Sequence, residues 1–165
     1  MVETKIRKFE EIMRDLRDML TEKTVKLNTT VSDWKEAVRV GGKMLVDVKA
    51  CKPEYVDAMV RFAEELGPYI VIGKGLALPH ARPEEGVLET CFSLLTLSEP
   101  IEFGNEYNDP VYVLFCMAAR DKDEHIEALR QIANLCGDEV YFEKIKEATT
   151  LKEIQDLLEK AGDLK

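Results

Sequence analysis

The sequence predicts a three-layer α/β domain, a mixed β-sheet flanked by helices on both faces. Segments with apolar residues at helical spacing alternate with short apolar runs of strand length, which is the pattern of helices laid over a sheet. Val111 to Ala118 is a continuous apolar run, as a central strand covered on both faces requires. The chain has 165 residues, enough for one sizeable core and too few for two, so 1–165 is read as a single domain.

Each element follows from local pattern. Ile6, Phe9, Ile12, Met13, Leu16, Met19 and Leu20 recur at helical spacing, so residues 1–22 read as an amphipathic helix. Thr24 to Asn28 alternates apolar and polar residues and reads as a short strand. Ser32 is placed to cap a helix whose inner stripe is Trp34, Ala37, Val38, Gly41 and Leu45. Pro53 opens the next helix, Val56, Met59, Val60 and Ala63 form its inner face, and Gly67-Pro68 stop it. Tyr69 to Ile72 reads as a strand, Gly73 to Pro79 as a glycine-rich loop, and Cys91 to Leu97 as a buried strand. Ile101 and Phe103 form a brief extended piece, and Asn108-Asp109-Pro110 a turn before the central strand. From Asp121 the pattern is helical. Asp121 with Glu124 resembles a capping box, ahead of a stripe of Ile126, Leu129, Ala133 and Cys136. Gly137-Asp138 breaks that helix, a second runs to about Ala148, and Thr150 with Glu153 caps a third that buries Leu151, Ile154, Leu157 and Leu158.

Composition narrows the function. A net charge of −9 argues against a general nucleic-acid binder, because phosphate contacts need clustered Lys and Arg. The longest apolar run, Val111 to Ala119, is about half of the roughly 20 residues that span a bilayer. Lys5, Arg7, Lys8, Glu10 and Glu11 interrupt the N-terminus where a signal peptide would be apolar, so a cytoplasmic location is expected. The four cysteines, Cys51, Cys91, Cys116 and Cys136, fall at irregular spacings without a C-x-x-C and read as reduced thiols in or near the core.

The chain has only two histidines, His80 and His125. His80 ends the run Gly73-Lys74-Gly75-Leu76-Ala77-Leu78-Pro79. Glycines there let the backbone turn tightly and bring N–H groups to an anion, which makes Gly75 a candidate phosphate-binding position. Pro79 stiffens the approach to the imidazole, Leu76, Ala77 and Leu78 supply an apolar wall, and Arg82 offers a planar fork to phosphate oxygens. An imidazole with an ordinary pKa near 6.5 keeps one ring nitrogen free near neutral pH, and the phosphoramidate it forms can pass its group onward. Taken alone, a histidine after proline is more often a hydrogen-bonded structural residue than a nucleophile. His125 would lie in the first turn of the helix after Asp121, where the dipole favours an anion, or else pack beside Leu129.

The segment G-K-G-L-A-L-P-H-A-R-P-E-E-G-V (Gly73 to Val87) resembles the phosphorylation-site region of enzyme IIA domains of the mannitol and fructose class, in the bacterial phosphoenolpyruvate-dependent sugar phosphotransferase system. E-L-G-P-Y-I-V-I ahead of it, F-G-N-E-Y-N-D-P (Phe103 to Pro110) and A-A-R-D-K-D-E-H-I-E-A-L (Ala118 to Leu129) follow in the order of that family. P-H-A-R-P-E is most similar to the ascorbate-type branch. The resemblance implies a phosphocarrier in which His80 accepts a phosphoryl group from the carrier protein HPr and donates it to a cysteine of the cognate enzyme IIB. His125 is implied as the second histidine, assisting with phosphoryl binding. Contact with the membrane is implied only through the IIB and IIC components, and neither metal nor cofactor is required. Mannitol-type members carry an arginine on the helix before the active-site strand; here Arg61 is offset, Ala63 falls near that place, and Arg82 is the substitute. The alternative is a regulatory IIA-like module whose phosphorylation state controls a protein partner. A hydrolase using His80 as general base lacks a serine or cysteine partner.

Overall fold

The computed structural model describes residues 19–163. In chain order its elements are β1 (Val25–Thr29), α1 (Trp34–Asp47), α2 (Pro53–Leu66), β2 (Val71–Gly73), β3 (Leu76–Ala77), β4 (Cys91–Ile101), β5 (Val111–Ala118), α3 (Lys122–Gly137), α4 (Glu139–Glu147) and α5 (Leu151–Asp163). The five strands form one sheet in the order β1-β4-β5-β3-β2. β1 runs parallel to β4 and β3 parallel to β5, while β4–β5 and β2–β3 are antiparallel, so the sheet is mixed as expected.

Alternation along β4 and β5 divides the core in two. Cys91, Leu95, Leu114, Cys116 and Ala118 face α1 and α2, whose Ala37, Val38, Leu45, Met59 and Ala63 cover them. Phe92, Leu94, Val113, Phe115 and Met117 face the other way, under Ala128, Ile132, Ile145, Ile154 and Leu158 of α3, α4 and α5. The apolar run Val111–Ala118 is therefore the central strand, buried on both faces.

Several local expectations shift. The cap of α1 is Asp33, not Ser32: its carboxylate accepts the Glu36 N–H at 2.8 Å, while the Ser32 hydroxyl bonds the Glu36 side chain. Gly67–Ile70 is a 3-10 turn that leaves Tyr69 80% exposed, so the strand expected from Tyr69 starts at Val71. The glycine-rich segment is not a free loop, since its Leu76 and Ala77 pair with Val113 and Leu114 of β5. On α3 the inner residues are Glu124, Ala128, Gln131, Ile132 and Leu135, and Ile126 is 47% exposed. Two polar members hid that stripe from a search for apolar spacing. The N-terminal helix read over 1–22 lies largely outside the described residues; within them Met19 is helical and the chain then passes through a turn at 22–24, with Leu20 buried.

Helix α1 comes close to the sheet because Gly41 has no side chain. A Cβ there would stand 2.3 Å from the Cys116 sulfur on β5, and the Gly41 carbonyl accepts the Ser93 hydroxyl at 2.7 Å. Gly41→Ala is expected to lower the unfolding free energy by ~1–3 kcal/mol through overpacking. Gly137→Ala, where nothing lies within 4 Å of the new methyl, leaves it unchanged or slightly raised. Urea denaturation of the two variants checks the contrast; equal stabilities would show that α1 has room to move.

Candidate active site

Because β3 and β5 are parallel neighbours, both deliver the chain to the same end of the sheet, and antiparallel β4 starts there. His80 follows β3, α3 follows β5, and Thr90 precedes β4. The carboxyl ends of parallel strands are where α/β folds place their chemistry. The topology thus brings together His80 and His125, 45 positions apart in sequence, with ring centroids 5.0 Å apart and planes at 64°, edge to face.

His80 is half-buried, and its Nδ1 lies 2.7 Å from the Leu78 carbonyl oxygen. A carbonyl only accepts, so Nδ1 carries the proton and Nε2 holds the lone pair of the neutral ring. The tautomer is therefore set by the backbone two residues earlier. Immediately before the ring, the Pro79 carbonyl accepts the Met117 N–H at 3.0 Å, which fastens the approach to the histidine onto β5.

His125 occupies the first turn of α3. Asp121 caps that turn, its carboxylate accepting the Glu124 N–H at 2.8 Å. The buried Glu124 carboxylate is bonded by Thr90 and Arg120. Arg120 holds it through Nη2 at 2.8 Å, and the Thr90 hydroxyl accepts the Arg120 N–H at 3.0 Å while bonding Glu124. This ties the start of α3, and with it His125, to the start of β4.

The other expected residues divide. Arg82 is exposed and sets its guanidinium 5.6 Å from the Phe62 ring centre, next to Arg61 on α2, whose own guanidinium pairs with Glu85 at 3.2 Å. Gly75 does not join the histidines. It lies where β3 begins, its N–H is given to the Asn108 carbonyl at 2.9 Å, and its positive φ serves the turn into β3. Leu76, Ala77 and Leu78 are core residues, not a docking wall. Ile126, the residue after His125 in the chain, is an exposed apolar side chain.

Cys51, Cys91 and Cys116 are buried and Cys136 partly so, and all four are free thiols. Burial pushes Cys51, Cys116 and Cys136 up to about 12 and Cys91 to about 11. Among the described residues no cluster of side chains is arranged to hold a metal ion, and no helix is long and apolar enough to cross a membrane.

A half-buried imidazole with its proton fixed on one nitrogen, met by a second imidazole at a helix N-terminus, defines a histidine-centred group-transfer domain. Residues 18–161 match the family described as phosphoenolpyruvate-dependent sugar phosphotransferase system, EIIA 2, and the chain belongs to that family of phosphohistidine-carrying phosphotransferase components. Over 149 residues, 89% of this chain and 97% of the relative, it is 44% identical to the ascorbate-specific PTS system EIIA component of Escherichia coli strain K12. The mannitol-specific cryptic phosphotransferase enzyme IIA CmtB of Escherichia coli superposes with a TM-score of 0.78 at 31% identity, covering 88% of this chain and 98% of that one. The mannitol IIA domain of Escherichia coli, solved in complex with phosphorylated mannitol IIB, superposes with a TM-score of 0.76 at 30% identity, covering 85% and 96%. The fold and the phosphocarrier class read from the sequence are both borne out.

Burial, and then the nearby His80, lower the pKa of His125 below the ordinary histidine value. Its folded pKa is depressed, so the unfolded chain takes up the proton first as pH falls. The stabilising contribution is present above the ordinary value and lost as pH drops through it toward the lower folded value. In an NMR titration His125 is expected to have a midpoint below that of a free histidine, and His80→Asn should move it upward. A midpoint at or above the free value in the parent protein would contradict the packing described.

Proposed function

We propose that His80 accepts a phosphoryl group on Nε2 from HPr and donates it to a cysteine of a cognate enzyme IIB, in the uptake of an ascorbate-type sugar. The observation that carries this reading is the Nδ1–H bond to Leu78, which leaves one nucleophilic nitrogen on a ring already met by a second imidazole. The Nε2 lone pair forms the bond to phosphorus in line as the bond to the donor's imidazole nitrogen breaks, and the donor ring keeps that electron pair. Positive charge then grows on the His80 ring, its Nδ1–H becomes more acidic, and the Leu78 carbonyl binds it more tightly than in the ground state. An interaction that strengthens along the reaction is one that accelerates it. His125 is assigned to donate a hydrogen bond to a phosphoryl oxygen, with the N-terminal dipole of α3 behind it. Arg82 is assigned to neutralise oxygens at the rim. Onward transfer repeats the step in reverse, with a thiolate attacking phosphorus and the His80 ring leaving with its electron pair.

The ascorbate-specific relative supports the choice of sugar, and the mannitol IIA–IIB complex supports a IIB acceptor. Exposed Ile126 gives a docking protein an apolar foothold next to His125. Four unpaired thiols suit the reducing cytoplasm in which such carriers meet.

Incubation with labelled phosphoenolpyruvate and the general carrier proteins tests the assignment. His80→Ala is expected to abolish labelling, and His125→Ala to slow it by roughly a hundredfold, the scale of losing one hydrogen-bond donor to the reacting group. Full labelling of the His80 variant would overturn the reading. Offering purified IIB domains of the ascorbate and mannitol types to the labelled protein then decides the sugar class, faster discharge to the ascorbate type being expected.

A further inference from the structure

We infer that Tyr55 is the positioning residue for His80, its buried phenol completing a two-sided tether of the histidine to one residue of the central strand. The Pro79 carbonyl, just before His80, accepts the Met117 N–H at 3.0 Å. The Ala81 N–H, just after it, donates to the Tyr55 hydroxyl at 3.0 Å, and that hydroxyl donates to the Met117 carbonyl at 2.7 Å. Both peptide groups of His80 are thus referred to Met117, one directly and one through the phenol. The ring itself is oriented by the Leu78 carbonyl. Take away the phenol oxygen and the second tether is gone, so the alignment of the ring on the Leu78 carbonyl is left to the first tether alone.

Packing alone does not account for this hydroxyl. Tyr55 is fully buried, so a phenylalanine would fill the same space without the cost of burying a polar group. Burial raises the phenol well above the ordinary tyrosine range, so it stays protonated and serves as donor and acceptor together. The chain after His80 also closes over this residue. Lys52 N–H donates to the Gly86 carbonyl at 2.8 Å, and a Cβ on Gly86, at φ +134°, would stand 3.4 Å from the Tyr55 Cβ. The first turn of α2 and the segment 81–86 are therefore packed together at the base of Tyr55. A nucleophile held this way loses little freedom when a donor docks, and displacement by about 1 Å costs up to 10²-fold in rate.

The inference rests on His80 being the phosphoryl acceptor, and its test separates the two claims. In Tyr55→Phe the rate of phosphoryl acceptance per folded molecule is expected to fall ten- to a hundredfold, with KM for the phosphorylated donor within twofold of the parent. The side-chain nitrogen spectrum of His80 should change from the single Nδ1–H form to a mixture of tautomers. Tyr69→Phe, at an exposed tyrosine, should leave both unchanged. A Tyr55→Phe protein that merely melts earlier, with parental rate and a single tautomer, overturns the inference. If the parent protein is not labelled at His80, the functional assignment fails, and the tautomer comparison alone decides the role of Tyr55. Should Tyr55→Phe not fold, amide hydrogen exchange of the parent decides: protection of Ala81 as strong as that of Met117 is expected, and free exchange at Ala81 overturns the tether.

Discussion

Strand β5 is hydrogen-bonded along both edges and covered on both faces, and the histidines take their places from its last residues. Its parallel pairing with β3 is the constraint on which the site depends. An antiparallel partner at that position would send the chain carrying His80 to the opposite end of the sheet from α3. With the observed pairing, Met117 holds the peptide before His80, and four residues later the chain turns at Asp121 into the helix that carries His125. A buried central strand is among the last parts of a domain to open. Fixing the His80 ring to it gives the ring the rigidity of the core while leaving it half-buried.

The two imidazoles are not equivalent, and the difference lies in what surrounds each. The His80 proton is committed to a backbone carbonyl. Partial burial and then its neighbour lower the pKa of His125. A phosphoryl dianion on the His80 ring inverts that second influence, because an anion a few ångströms away favours the charged imidazole. Under the proposed assignment, loading His80 would draw a proton onto His125 when a donor is useful, and unloading would release it. The Thr90, Arg120 and Glu124 network ties the first turn of α3 to the start of β4.

What the sequence revealed and what it hid divide along physical lines. Caps, stops and the central strand were legible, since Pro53, Gly67, Asp121 and Thr150 act within a few residues of themselves and an eight-residue apolar run admits few interpretations. The stripe of α3 was misread because Glu124 and Gln131 sit on its buried side, and a search for apolar spacing passes over them. The Ser32 cap was one residue early, both neighbours being competent caps. Leu76 to Leu78 looked like surface because the pairing that buries them is with a strand 37 residues away. His80 and His125 were found through the motif around each, whereas their proximity follows only from the topology. The Tyr55 tether had no local signal at all: its partners lie 26 and 62 residues distant, and in its own helix it is one more residue of the inner face.

The thiols have a consequence for the fidelity of the carrier. Attack on phosphorus by sulfur requires the thiolate, and every cysteine of the described chain is pushed up to about 11 or 12, with three of them buried in the packed interior. With His80 as the proposed phosphoryl site, the loaded ring would be insulated from the thiols of its own molecule. No internal sulfur competes for the group by self-transfer, so its departure waits on an encounter, and flux through the protein is governed by who docks rather than by what the chain contains.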